Sequence, residues 1–322
     1  MVNVVPAERK TAVLTPSSLA CLSRIPTVNL TAGCAHGCLY CYTRSYSTYP
    51  GEDKVMFYTN TFDKLRDELT RKRRVPKAVY FSPSSDLFQP VPEVLDLGYD
   101  ILAFLLHRGI GVAFLTKGRI PERHMKLFEE NAPLVRAQIG LITLDAAITG
   151  VFEPRAPAPA VRLAQAKQLV RAGIKTQVRL DPILPGLTDD AGTIENLCAA
   201  LAEAGVKHIA ASALFLRPAV ADSLKRHIPD RPMLDRLLQA FGQGARMAIH
   251  ARNSSVFALP ASARQEIYER VERAAQRHGL VVHLCACKNP DLASGSCSIA
   301  GEWTRTPASV GQGRLFPDDE RS

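Results

Sequence analysis

No stretch of about 18 uninterrupted apolar residues occurs in this sequence, which argues against a membrane-spanning helix. The N-terminal stretch carries Glu8, Arg9 and Lys10 and lacks a long apolar core, so it does not read as a secretory signal, and a cytoplasmic location is expected. There is no internal repeat and no low-complexity block, which sets aside solenoids and compositionally disordered chains. Acidic residues are in deficit, 31 against 40 Lys and Arg, for a net charge of +9. A basic chain favours anionic partners such as nucleic acid or phosphorylated metabolites, although the same balance suits any soluble protein of basic pI. The densest run, Arg71 to Arg74, closes a helical pattern. Cations suit a helix C-terminus, so a solvated helix end accounts for the run as well as a binding patch does.

What is present is ordinary globular material. The 322 residues are 46% apolar and 22% charged, enough for one large barrel-type domain or two smaller ones. β-rich runs at 27–30, 78–82, 111–117, 137–143, 175–180 and 208–215 alternate with amphipathic stretches near 61–74, 92–108, 121–131, 160–172 and 190–204. Gly109, Gly173 and Gly205 follow three of these as C-caps. Six strand–helix units predict an α/β fold, a partial (β/α)6 TIM-type barrel, with reactive groups at the C-terminal ends of its strands. The organisation expected is an N-terminal segment (1–26), the barrel (27–217), an extension with a possible second metal site (218–303) and a mobile tail (304–322). Within the extension, 216–230 reads as loop, helices are expected around 232–248 and 261–278, and a short apolar run covers 280–284.

Of eight cysteines, three fall at 34, 38 and 41 and three at 285, 287 and 297, while Cys21 and Cys198 stand alone. Without a secretory signal, clustered cysteines point to metal before disulfides. The spacing Cys34-x3-Cys38-x2-Cys41, directly after the first strand, offers three soft thiolates from one loop. Three can hold three irons of a cubane cluster and leave the fourth open to a ligand. Gly33 and Gly37 let the backbone wrap closely. A zinc loop is the alternative, but zinc closes with four ligands and only His36 is near.

The motif resembles the signature of the radical S-adenosylmethionine (SAM) superfamily. The wider sequence resembles its spore photoproduct lyase and DNA repair photolyase-like branch. The pieces that match are residues 33–42, Ser-Ser-Asp-Leu-Phe-Gln-Pro at 84–90, Leu-Thr-Lys-Gly at 115–118, Phe-Glu-Pro-Arg-Ala-Pro at 152–157, Arg162-Leu163, Ala-Gly-Ile at 172–174 and Pro-Ile-Leu-Pro-Gly-Leu-Thr-Asp at 182–189. The resemblance implies a 4Fe-4S cluster at Cys34, Cys38 and Cys41 whose open iron binds SAM. It implies one-electron cleavage of SAM to a 5′-deoxyadenosyl radical, hydrogen abstraction from a substrate, and an electron donor of flavodoxin or ferredoxin type.

Cofactor-binding candidates are Ser84, Ser85 and Asp86 after the second strand, and Lys117 after the third, where the matching lysine of the family lies near SAM. Gly140 closes the fourth strand, and Arg179, beside Asp181, ends the fifth. Solvated strand ends or a structural Arg179–Asp181 pair are the plainer readings. Many relatives carry Ser at the position of Gly140. In spore photoproduct lyase itself a cysteine near the Ser-Asp motif returns a hydrogen atom to the product radical, and Pro83 stands there in this chain, so that chemistry is not expected. Tyr40 and Tyr42 flank Cys41 as candidate radical relays, with packing around the cluster as the alternative.

Cys285, Cys287 and Cys297 fall within thirteen residues, which is not a typical core pattern, and a reduced cysteine-rich turn is the plainer reading. They predict an auxiliary iron–sulfur cluster or a structural zinc, with His283, Cys21, Cys198 or a substrate atom as the fourth ligand. The leading expectation is a radical SAM enzyme acting on nucleic acid, in repair or modification. The alternatives are the same chemistry on a small molecule or peptide, or a non-catalytic metal-dependent binding module. In the tail, Gln312, Leu315 and Phe316 resemble the short motif by which bacterial proteins dock on the replication sliding clamp. The alternative there is that Leu315 and Phe316 tuck back onto the barrel.

Overall fold

The computed structural model describes residues 2–17, 19–249, 254–293, 299 and 303. Cys297, Gln312, Leu315 and Phe316 lie outside the described residues. The strands are β1 (Asn3–Ala7), β2 (Thr27–Val28), β3 (Thr31–Ala32), β4 (Lys54–Tyr58), β5 (Ala78–Phe81) and β6 (Gly111–Thr116), then β7 (Val135–Gly140), β8 (Lys175–Ile183), β9 (His208–Ala213), β10 (Ala245–Ile249), β11 (Ser254–Ala258) and β12 (Val281–Leu284). The helices are α1 (Thr61–Arg71), α2 (Pro92–His107), α3 (Glu122–Glu130), α4 (Ala146–Phe152) and α5 (Pro159–Arg171), followed by α6 (Ala191–Glu203), α7 (Pro218–His227), α8 (Arg231–Gln239) and α9 (Ala261–Arg277). None of the described helices is long and apolar enough to cross a membrane.

Seven strands form one all-parallel sheet in the order β12-β9-β8-β7-β6-β5-β2. Parallel strands joined by helices are covered on both faces, and β5 and β7 are buried along their whole length. This is the partial (β/α) barrel that the alternating pattern predicts. Gly109, Gly173 and Gly205 end their helices at positive φ, as a left-handed cap requires.

Three local expectations change, and a fourth gains a place in the sheet. Of the run at 27–30 only Thr27–Val28 is strand, as β2 of the barrel, and the next strand, β3, belongs to a separate small sheet, β1-β4-β3. The cysteine loop therefore follows β3, not a barrel strand. The segment at 216–230 is not loop: Pro218 opens α7, where a missing N–H is tolerated. Val220, Ser223 and Leu224 are buried, and Lys225, Arg226 and His227 complement the helix C-terminus. The helix expected over 232–248 is α8 followed by β10, because the chain turns at Phe241–Gly244, where Gly244 N–H donates to the Phe241 carbonyl at 2.8 Å. Finally, the apolar run at 280–284 is β12, the seventh barrel strand, paired with β9. A second buried cluster fills the barrel interior. It joins Ala78, Tyr80, Ala113 and Ala210 of the strands to Leu22, Ile25, Ile299 and Trp303.

Candidate active site

The cysteine loop is pinned by the segments that matched in sequence. Gln89 accepts from Ala35 N–H at 2.9 Å through Oε1, and its Nε2 donates to Thr31 Oγ1 at 3.0 Å. Arg155 Nε donates to the Ala35 carbonyl at 2.6 Å, and Arg44 Nε donates to the Cys38 carbonyl at 3.2 Å. Leu39 N–H donates to the Phe152 carbonyl at 2.9 Å. Gly33 and Gly37 adopt positive φ; a Cβ on Gly33 would meet the Lys54 carbonyl oxygen at 2.5 Å, and one on Gly37 would strike the Arg155 guanidinium. Their smallness thus serves this clamp. Below the loop the Tyr40 hydroxyl donates to Glu153, whose other oxygen meets Arg162 Nη2 at 2.6 Å.

Cys34, Cys38 and Cys41 line a cavity of ≈ 550 Å³ together with Tyr40, Tyr42, Ser84, Ser85, Asp86, Lys117 and Arg179. Cys285 and Cys287, more than 240 positions later in the chain, line the same cavity. Ile249, Ser254 and Val256 of the β10–β11 hairpin also face it. Cys285 and Cys287 thus share one chamber with the first cysteine group, which spacing alone does not reveal.

Asp86 is buried with its oxygens taken: Oδ1 accepts from Phe88 N–H at 2.8 Å and Thr116 Oγ1 at 2.6 Å, and Oδ2 accepts from Lys117 N–H at 2.8 Å. His36 Nε2 stands 3.4 Å from the same Oδ2, so the nearby histidine turns to Asp86. Burial alone would raise this carboxyl, but His36 and these donors hold it below its ordinary value. Lys117 sits with its ammonium 5.6 Å from the centre of the Tyr40 ring. Gly140 does not line the cavity; it makes room, since a Cβ there would lie 2.9 Å from Lys117 Cγ. Its carbonyl accepts from Arg162 Nη1 at 2.9 Å. Ser84 N–H donates to Asn29 Oδ1 at 3.0 Å. Arg179 Nη2 donates to Asp181 Oδ2 at 2.7 Å, the structural pair named as its plainer reading. Tyr42 is exposed, with its hydroxyl donating to the Pro83 carbonyl. Tyr40 is buried, and burial followed by the Glu153 charge pushes its phenol well above the ordinary range.

The donors fit the cofactors that the motif implies. Three soft thiols come from one short loop, all unbridged. Burial, with Asp86 adding to it, raises the Cys34 thiol well above its usual range, and burial with Glu153 lifts Cys38 to about 12. Thiolates here need a strong cationic partner, which iron supplies. Beside them Ser82 Oγ and Ser85 Oγ are buried, face the cavity and have no hydrogen-bond partner among the described residues, which suits a polar cofactor. Ser82 also holds φ at 53°, a strained conformation of the kind that gathers at functional sites.

At neither cysteine group do three His, Cys, Asp or Glu side chains among the described residues gather closely enough to hold a single ion; of the second group only Cys285 and Cys287 are among them. Of the fourth ligands considered, Cys198 is packed in the core and His283 Nε2 lies 3.3 Å from His208 Nδ1, while Cys21 lines the cavity. Gln89, Glu153, Arg155 and Arg162 were visible in sequence only as matching pieces; their clamping roles come from contacts between segments far apart in the chain.

The structure resembles those of spore photoproduct lyase. One, a double mutant with bound AdoMet and dinucleoside spore photoproduct, superposes with a TM-score of 0.67 at 17% identity over 87% of this chain and 81% of that one. In sequence, an uncharacterized protein of Mycobacterium tuberculosis is 31% identical over 200 residues, 59% of each chain. A radical SAM Nalpha-GlyT isomerase of Pseudomonas phage M6 is 28% identical over 179 residues, 55% of this chain and 36% of that one. The chain thus spans less than two thirds of the length of these curated relatives. The family model of the radical SAM superfamily matches residues 28–198, which is more than half of the chain and takes in the whole cysteine loop and barrel strands β5 to β8. This chain belongs to the radical SAM superfamily.

Proposed function

We propose that the chain is a radical SAM enzyme that reductively cleaves SAM at a 4Fe-4S cluster on Cys34, Cys38 and Cys41 and takes a hydrogen atom from a nucleic-acid substrate. The observation that carries the chemistry is the shared cavity: three thiols, the Lys117 ammonium and the unpartnered Ser85 hydroxyl open onto one chamber at the C-terminal ends of parallel strands. When bound, the reduced cluster supplies the electron that cleaves SAM. Lys117 offers a point charge to the SAM carboxylate, and Ser82 and Ser85 offer hydroxyls. Asp86 takes no ligand itself; it fixes the backbone from which Lys117 projects. Tyr40, tied to Glu153, packs beneath the loop, and Tyr42 borders the entrance.

Nucleic acid as substrate is supported by the net charge of +9 and by the fold shared with a lyase bound to a dinucleoside. An electron donor of flavodoxin or ferredoxin type belongs to the same reading, as does a second metal site on Cys285, Cys287 and Cys297. Docking of the tail on a sliding clamp through Gln312, Leu315 and Phe316 would tie the enzyme to DNA. A peptide covering 308–322, titrated with the clamp of the source organism, tests it against a Leu315→Ala, Phe316→Ala control.

The chemistry is tested by anaerobic reconstitution, dithionite reduction and assay of 5′-deoxyadenosine, with Cys34, Cys38 and Cys41 all changed to Ala as the control. Unchanged 5′-deoxyadenosine in that variant removes the radical SAM reading. Binding of DNA, RNA and mononucleotides at two salt concentrations tests the substrate class, because phosphate contacts weaken steeply with salt.

A further inference from the structure

Asp181 holds two cations with one carboxylate. Its Oδ2 accepts from Arg179 Nη2 at 2.7 Å, and Lys288 Nζ donates to Oδ1 at 2.6 Å and Oδ2 at 2.8 Å. The Arg179 and Asp181 side chains are each 9% exposed, whereas Lys288 is 29% exposed. The triad keeps a formal charge of +1 in a place largely closed to water, where an uncompensated charge is costly. Burial would raise the Asp181 carboxyl, but Lys288 and Arg179 hold it far below its ordinary value, so the carboxylate stays charged and the surplus stays positive.

Among the described residues, the only other carboxylate in the cavity wall is Asp86. The charged side chains of the lining are Lys117, Arg179, Arg217 and Lys288 against Asp86 and Asp181. Asp86 already accepts from Phe88 N–H, Thr116 Oγ1 and Lys117 N–H. The triad is also built in place. Arg179 pairs across the sheet with Gly140 and Ala210, two small residues, and the register of β8 shifts between Leu180 and Ile183, the stretch that holds Asp181. Lys288 stands in a tight turn after β12, where Lys288 N–H donates to the Cys285 carbonyl at 3.0 Å. The next residue, Asn289, is fully buried: its Oδ1 accepts from the Tyr268 hydroxyl at 2.7 Å and Arg264 Nη1 at 3.2 Å. An ammonium has three N–H donors, and Asp181 offers only two oxygens.

We propose that Lys288, anchored on Asp181 beside Arg179, forms an anion-binding subsite that grips a phosphate of the substrate, separate from the Lys117 position beside the cysteine loop. The inference deepens the nucleic-acid reading, which supplies the phosphate. A lysine serves this role as a point charge, and its anchoring lowers the ordering cost of binding.

The experiment uses the anaerobically reconstituted full chain. A short fluorescein-labelled thymidine oligonucleotide is bound in two forms, with natural phosphodiester links and with uncharged methylphosphonate links, and inorganic phosphate is used as a competitor in a separate arm. The wild type should prefer the charged oligonucleotide by about tenfold or more, and Lys288→Met should lose most of that preference along with competition by phosphate. Lys288→Arg should restore much of both, and thermal denaturation shows that each variant is folded. Equal affinity of the wild type for the charged and uncharged oligonucleotides overturns the proposal without any variant. So does a Lys288→Met protein that binds oligonucleotide and phosphate like the wild type. Phosphate binding that depends on Lys288, with no oligonucleotide binding, keeps the subsite and overturns the nucleic-acid reading instead. Binding of neither probe overturns the subsite.

Discussion

Glu153 Oε2 lies 2.6 Å from Arg162 Nη2, and both side chains are completely shut off from solvent. Glu153 also accepts the Tyr40 hydroxyl, and Arg162 also donates to the Gly140 carbonyl. The pair thus links the residue beside Cys41 to the end of β7, and the cysteine loop rests on it.

Removing one partner strands the other charge in the core. Glu153→Gln should destabilise the protein by about 3–5 kcal/mol, the range found when a buried pair loses one member. It should also lower the iron retained after anaerobic reconstitution, since Tyr40 loses its charged acceptor. Urea denaturation gives the first quantity and iron analysis the second. A loss below about 0.5 kcal/mol, the size of an ordinary surface change, would show that the pair does not support the loop.

His124 predicts a pH effect on stability. It is buried between the rings of Phe88 and Tyr99, with Nε2 3.1 Å from the Leu95 carbonyl. Burial, then the charge of Arg123, lowers its imidazole from 6.5 to about 4. Between those values the unfolded chain binds a proton that the folded chain does not. This contribution is therefore complete above about pH 6.5 and declines as the pH falls towards 4, by about 3 kcal/mol in total. Denaturation midpoints measured across that window should slope less in His124→Gln than in the wild type, and parallel slopes would count against the assignment.

Gly140 provides a test of how Lys117 is placed. A methyl group there would sit 2.9 Å from Lys117 Cγ and 3.0 Å from Nζ, so Gly140→Ala should push the ammonium aside. The Arg162 bond uses the Gly140 carbonyl and survives. The expected result is a rise in KM for SAM of about fivefold or more with little change in thermal stability. Wild-type KM in this variant would remove Lys117 from the SAM site.

Pro83 bears on which reaction is expected. It lines the cavity and its carbonyl accepts the Tyr42 hydroxyl, and the sequence resemblance implies a hydrogen-donating cysteine at this position in spore photoproduct lyase. Proline has no S–H to give. The reconstituted protein should therefore cleave SAM yet fail to repair a thymine dinucleotide spore photoproduct efficiently. Product analysis by mass spectrometry decides this, and efficient repair would refute the assignment of Pro83.

The barrel was legible because hydrophobic runs and glycine caps are local signals. Gly109, Gly173 and Gly205 mark helix ends regardless of what surrounds them. What failed to show depends on distant partners. Composition makes 216–230 look like loop, but burial of Val220 and Leu224 decides in favour of α7. The cysteine spacing singles out the proposed cluster loop, since its three candidate donors are neighbours in sequence. That Cys285 and Cys287 face the same chamber follows only from β12 pairing with β9. Likewise Arg155 and Gln89 are anonymous charges and amides until the fold lays them against Ala35.

The apolar cluster inside the barrel has its own consequence. Leu22 and Ile25 precede the first barrel strand, Ile299 and Trp303 follow the last, and all four close on Ala78, Tyr80, Ala113 and Ala210. Arg136 reaches across to the Trp303 ring, 4.0 Å from its centre, and donates to the Ile299 carbonyl at 3.3 Å. The barrel is corked from both directions of the chain. Cutting out the portion at 27–217 would uncork it and bare the flank of β9. The three thiols therefore ride on a scaffold that cannot be lifted out and grafted elsewhere as a module; any transplant has to carry both flanks with it.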